Sequence, residues 1–150
     1  MLRSLFGIAP QREPDGSFRP SKLALKLATS DVSNFEPVTY ERYQGTRPTI
    51  LAVFTEQKNM EMQNGKAFST GNHPVEALVP MLHLRDAGFE FEIVTPTGKP
   101  VVFEMWAMPE NDAAVAGVTE PISLSGECRA GSARVLVRAA GEVDPTVGSR

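Results

Sequence analysis

An α/β fold with a mostly parallel sheet is the architecture this sequence predicts, and three neighbouring stretches predict it. Thr49 to Phe54, TILAVF, is an uninterrupted β-branched and aromatic run, the pattern of a strand covered on both faces. From Pro74, apolar residues fall at Val75, Leu78, Val79 and Leu82, the i, i+3, i+4, i+7 spacing of one helix face, with Ala77, Met81 and Leu84 widening the stripe. Phe89 to Thr95, FEFEIVT, then alternates before turning apolar. Strand, loop, helix and strand in that order make a βαβ unit. Such units cross over right-handed and gather ligands beyond the carboxyl ends of their strands.

Residues 1–47, rich in Pro, Ser and charge, read as an N-terminal arm with one short helix at Ser21 to Ala28 (SKLALKLA) after Pro20. Residues 48–115 hold the α/β domain. Within it, 55–73 is a polar loop with turn signals at Asn64-Gly65 and Thr70-Gly71-Asn72, and connections of that length are uncommon unless they are functional. The residue before a proline is pushed out of the helical region, so His73 suits the N-cap and Pro74 the first helical position, while Gly88 suits the C′ position. Pro80 removes one hydrogen bond from that helix and predicts a kink. A Pro96/Gly98/Pro100 turn leads into VVFEMW, Val101 to Trp106. Residues 116–150 read as a divergent tail, disordered or out of frame. All eight Phe, both Tyr and the single Trp lie at or before Trp106, and no lysine follows Lys99. The final stretch is mainly Gly, Ala, Ser, Val and Arg, with ARVLVRAA the one segment able to form a short helix or strand.

The totals exclude several classes of function. One domain of 150 residues normally buries about 70% of the surface its unfolded chain exposes. Fifteen basic against eighteen acidic residues give a net charge of −3 with no long run of either sign, which argues against a nucleic-acid surface. The longest apolar run, Ile50 to Phe54, falls far short of the roughly 20 residues that span a bilayer. MLRSLFGIAP runs into charged sequence without a signal-peptide core, and one cysteine forms no internal disulfide. A soluble cytoplasmic protein that does not enter membranes is the expectation.

Glu76 is the leading candidate for chemistry, and it has two readings. At the third helical position an acid complements the helix dipole and can reach back to the N-cap amide, contributing a few tenths to about 1 kcal/mol. The same position, at a corner beside the sheet's carboxyl edge, suits a carboxylate that shares a proton with substrate or with a thiol. His73 and His83 are not joined by other ligands at metal spacing, and each reads as structural. Cys128, in GECRAG, would be reactive only if Arg129 lowered its pKa. TGKP at Thr97 to Pro100 lacks the leading glycine and the hydroxyl residue of a phosphate loop, and no GxGxxG or GxSxG is present. Met60 and Met62 read as loop packing.

Residues 62–109, MQNGKAFSTGNHPVEALVPMLHLRDAGFEFEIVTPTGKPVVFEMWAMP, resemble the glyoxalase III and protein deglycase branch of the PfpI/ThiJ superfamily, which also includes heat-inducible chaperones. TILAVF, the preceding YQGTRP and the arm around PSKLALKLATSDVSNFEPV are similar too. The resemblance implies a flavodoxin-like three-layer sandwich, here incomplete, and a homodimer. It implies conversion of methylglyoxal to lactate without glutathione, or release of early glycation adducts from proteins and nucleotides. In the family's GNHP-x-E motif the glutamate, matched by Glu76, is the active-site acid beside a cysteine thiolate. The thiolate attacks the aldehyde carbon to give a hemithioacetal while the carboxyl group moves protons between carbon and oxygen, so no organic cofactor is needed.

The departures from the family shape the expectation for this chain. The family nucleophile lies in an A-x-C-H-G type turn after a later strand, and no Cys-His pair occurs here. Cys128 lacks the following histidine and arrives too soon after Glu76 to take that role. Some relatives bind a metal through two histidines and a glutamate: Glu90 matches the glutamate, Arg85 stands where the first histidine belongs, and no metal is expected. The chain therefore reads as truncated before its nucleophile and inactive as an enzyme, with unfolded proteins as alternative partners for a holdase-like module and a non-functional fragment as the third reading. Translation of GC-rich DNA out of frame would give the bias of the tail. Sequencing of the adjacent DNA is expected to reveal a downstream frame that encodes a Cys-His-Gly turn, and its absence would rule out a frameshift.

Overall fold

The computed structural model describes residues 6–41, 43–45, 49–123, 127–130 and 133–139, with side chains described as far as Thr119. Two four-stranded sheets and three α-helices make up these residues. In the larger sheet, β3 (Thr49–Val53) pairs in parallel with β6 (Glu90–Thr95), with Thr49 opposite Glu90 and Val53 opposite Val94. Phe54 prolongs the ladder by donating its N–H to the Val94 carbonyl at 2.9 Å. Helix α2 (Pro74–Asp86) makes the crossover between them, so the expected βαβ unit is present. Next, α3 (Ala113–Ser123) straddles residues 115 and 116, and β7 (Glu127–Ala130) and β8 (Ala133–Ala139) follow. β8 lies parallel to β6 and antiparallel to β7, giving the order β3-β6-β8-β7. ARVLVRAA thus contributes a strand. The Cys128 side chain and residues 140–150 lie outside what is described.

Burial distinguishes the two strands that the sequence makes look alike. In β6 every residue from Phe91 to Thr95 is buried, and on one face Phe91 and Ile93 share a core with Leu78, Met81 and Leu82 of α2 and Val115 and Val118 of α3. In β3 the alternation is visible instead: Ile50 and Ala52 pack against that core, while Leu51 is 44% and Val53 74% exposed. TILAVF was expected to be covered on both faces. It is an edge strand of this sheet among the described residues, with one face open.

α2 is bounded by the caps its sequence predicts. His73 has extended dihedrals and Pro74 opens the helix. At the other end Phe89 N–H donates to the Leu84 carbonyl at 3.1 Å and Gly88 N–H to that of Arg85 at 2.9 Å, the paired bonds of a Schellman close, with Gly88 at φ 97°. Pro80, exposed, sits inside a helix that continues past it.

The long polar loop and the arm build the second sheet together. β1 (Gln11–Arg12) and β2 (Phe18–Arg19) form one hairpin, β4 (Asn59–Glu61) and β5 (Ala67–Ser69) another, and Phe18 pairs in parallel with Phe68 to join them. Asp15 rivets the joint: its carboxylate accepts from the Ser17 hydroxyl at 2.6 Å, the Ser17 amide at 3.0 Å and Asn59 at 3.3 Å, and pairs with Lys58 at 2.9 Å. After α1 (Lys22–Ala28), capped by Ser21, the arm straps over the helices. Ser33 donates its amide to Asp112 at 2.9 Å and its hydroxyl to the same carboxylate, whose other oxygen caps the start of α3 through Ala114 and Val115. Tyr40 meets His83 Nδ1 at 2.9 Å, and Phe35 lies 4.9 Å from the same ring.

The Ser17 hydroxyl, followed by Lys58, holds the Asp15 carboxyl well below the ordinary aspartate value of 3.8. A depressed folded-state value means that the contribution is complete above the unfolded value and is lost as pH falls through the folded one. The β1-β2 hairpin is therefore expected to loosen from β4-β5 on acidification below about pH 4, and Asp15→Asn should loosen it at neutral pH. NMR contacts between residues 15–17 and 58–59 report both effects. Contacts that survive intact in the variant would remove Asp15 from this role.

Candidate active site at the Gly71 to Glu76 corner

Residues 71–76 turn the chain from the second sheet into α2, and almost every polar group in the turn is used. Asn72 makes the joint. Its side-chain oxygen accepts from the Thr55 amide at 3.1 Å, while its side-chain nitrogen donates to the Thr55 carbonyl at 2.9 Å and to the Val102 carbonyl at 2.8 Å. Its backbone N–H also donates to Val102 at 2.8 Å, and its carbonyl accepts from the Glu104 amide at 3.0 Å. The end of β3, the segment after β6 and the start of α2 meet at this one residue. Gly71 permits the approach, since a Cβ there would stand 2.8 Å from the Val102 carbonyl oxygen.

His73 caps α2 through its ring, with Nδ1 accepting from the Glu76 amide at 3.4 Å. The cap runs one way, because the Glu76 carboxylate accepts no hydrogen bond among the described residues. That carboxylate is exposed and opens on a groove of about 420 Å³, lined by residues along β3 and by Asn72, His73, Met81 and Phe91. The dipole of α2 favours negative charge at this end.

Sequence reasoning missed Glu104. It is half-buried, accepts from the Thr70 hydroxyl at 3.3 Å, and lies close enough to His73 and Glu76 for their charges to act on it. Burial pushes its carboxyl up, the Thr70 hydroxyl and His73 oppose that, and the charge of Glu76 adds to it. A lone acid inside the apolar run Val101 to Trp106 was the available signal.

A protein/nucleic acid deglycase HchA of Pseudomonas aeruginosa (strain UCBPP-PA14) is 43% identical over 109 residues, covering 73% of this chain and 38% of that protein. Its counterpart in Escherichia coli O157:H7 is 44% identical over 101 residues, covering 67% of this chain and 36% of the relative. The chain belongs to the PfpI/ThiJ deglycase family. It spans well under half the length of these curated relatives. No protein-family model matches it.

The other candidates from the sequence are dispersed over the deglycase-family frame. His83 is half-buried in the last turn of α2, held by Tyr40 and Phe35 in a structural role. Met60 and Met62 are exposed on the β4-β5 hairpin. The Thr97 to Lys99 turn is occupied by an internal anion: Glu56 accepts from the Thr97 hydroxyl at 2.6 Å and from the Thr97 and Lys99 amides, and the hydroxyl, first among these, draws the Glu56 carboxyl down. The residues at the metal position known from some relatives do not fit a divalent cation. Arg85 brings a permanent positive charge and is bound to Asp86 at 3.0 Å.

Asn72→Ala removes three side-chain hydrogen bonds and is expected to cost about 2–4 kcal/mol in urea unfolding. Glu76→Gln, at an exposed carboxylate that accepts no hydrogen bond among the described residues, should stay within about 0.5 kcal/mol. Equal losses in the two variants would contradict this account of the corner.

Proposed function

We propose that this chain carries the acid half of a deglycase or glyoxalase III type site, in which Glu76 moves a proton between carbon and oxygen of a small dicarbonyl or an early glycation adduct. The observation that carries the reading is an exposed carboxylate that accepts no hydrogen bond among the described residues, carried in the first turn of a capped helix and lining an apolar-walled groove along β3. A general acid or base must be positioned yet free to exchange its proton, and a capped helix turn bearing an exposed carboxylate supports that role for Glu76. The relatives named protein/nucleic acid deglycase support the substrate class. In the same reading the sheet is part of a flavodoxin-like sandwich, the protein acts in the cytoplasm without an organic cofactor, and two copies pair. No described helix is long and apolar enough to cross a membrane.

The covalent half is not encoded in these 150 residues, where no cysteine precedes a histidine. Loss of a covalent nucleophile costs orders of magnitude in rate, so the polypeptide alone does not turn over. A second reading, a holdase-like module, is favoured by the open apolar face of β3 and by the exposed Phe6, Leu23 and Leu27 of the arm. Purified chain with methylglyoxal is expected to give no more lactate than its Glu76→Gln variant. Lactate formed by the parent and lost in that variant would falsify the inactivity. Suppressed aggregation of an unfolded client, with the chain itself staying soluble, would favour the holdase reading.

A further inference from the structure

We propose that the cleft between the second sheet and the segment Val101 to Trp106 binds a small aromatic oxyanion, with Arg19 and Lys58 holding its charged group and Trp106 its ring. The inference makes no use of Glu76. The cleft measures about 470 Å³, within the range of small-molecule sites, and its lining is of two kinds. Glu13 and Arg19 of the arm and Lys58 and Thr70 of the polar loop bring charge and a hydroxyl, while Phe103 and Trp106 bring aromatic surface. A lining so divided selects a ligand with a polar head and an apolar body.

The donors set the sign of the head. Two cations line the cleft against one carboxylate, that of Glu13. Glu13 does not satisfy Arg19: Nε is buried 3.1 Å from a Glu13 oxygen yet makes no hydrogen bond. Nη2 donates to Gln11 Oε1 at 3.2 Å, which leaves Nη1 without an acceptor among the described residues. A planar guanidinium fork matches the paired oxygens of a phosphate or carboxylate. Lys58 is paired once, with Asp15 at 2.9 Å, and its side chain is 64% exposed, so it keeps donors for a second anion. Trp106 is held in place as well. Its Nε1 donates to the Ser69 carbonyl at 3.2 Å, and its ring meets Phe68 in an edge-type contact with centroids 6.3 Å apart. An indole already fixed loses little freedom when an aryl group packs on it.

Trp106 is the one tryptophan of the sequence, so its fluorescence in the full chain reads occupancy of the cleft. Phenyl phosphate is expected to change that emission saturably. Benzyl alcohol should bind at least about tenfold more weakly, because it forgoes hydrogen bonds to charged donors, and inorganic phosphate more weakly for want of the ring. In Arg19→Gln the affinity for phenyl phosphate should fall at least about fivefold while that for benzyl alcohol holds. Amide spectra verify that the variant is folded. Where it is not, phenyl phosphate added to the parent chain decides, with amide shifts expected at residues 19, 58, 70 and 106. The absence of a saturable change, shifts confined to other residues, or equal affinity for benzyl alcohol or inorganic phosphate would each overturn the proposal. So would benzylamine binding as tightly as phenyl phosphate, since Glu13 would then be the anchor.

Discussion

The carboxamide of Asn72 is where β3, the segment after β6 and the start of α2 are fastened to each other, and it tolerates few replacements on physical grounds. It donates to two carbonyls and accepts from one amide, a pattern that only a neutral planar amide supplies. A carboxylate would set oxygen against the carbonyls of Thr55 and Val102, and an apolar side chain would strand all three groups. Gly71 must be bare for the approach to occur at all. The placement of an acid at the sheet's edge is therefore enforced by a neighbour that carries no charge.

Three carboxylates gather along this edge, and their surroundings give them different fates. Glu56 is saturated by the hydroxyl and amides of the turn after β6 and acts as a fixed anion. Glu104 has one hydroxyl donor and incomplete access to water, so its charge is disfavoured. Glu76 is exposed, and its carboxylate accepts no hydrogen bond among the described residues. A group engaged as fully as Glu56 exchanges a proton less readily than the less satisfied pair.

What could be read from the sequence follows the range of the interactions. The caps of α2 at His73, Pro74 and Gly88, and its pairing with β6, depend on periodicity and on backbone preferences of adjacent residues, and these were legible. The joining of Phe18 to Phe68, the strap from Ser33 to Asp112 and the nearness of Glu104 to Glu76 depend on distant segments meeting, and no local pattern encodes them. TILAVF was misread for a related reason: an apolar run states that a strand tolerates burial on both faces, whereas actual burial depends on what is packed there. Glu76 itself came from resemblance. Position alone left it divided between cap and catalyst, and the observed one-way cap leaves its carboxylate uncommitted.

The open edge of β3 bears on both functional readings. Edge strands of natural sheets are commonly guarded by lysine, proline or a bulge, and Thr49 to Val53 contains none of these. Apolar Leu51 and Val53 therefore offer a surface that a substrate's carbon skeleton or an unfolded segment could use alike, and apolar attraction does not discriminate between them. Glu76, among the residues lining the groove along β3, separates the two: a grip on apolar chain is indifferent to the proton it carries, whereas transfer between carbon and oxygen depends on it entirely.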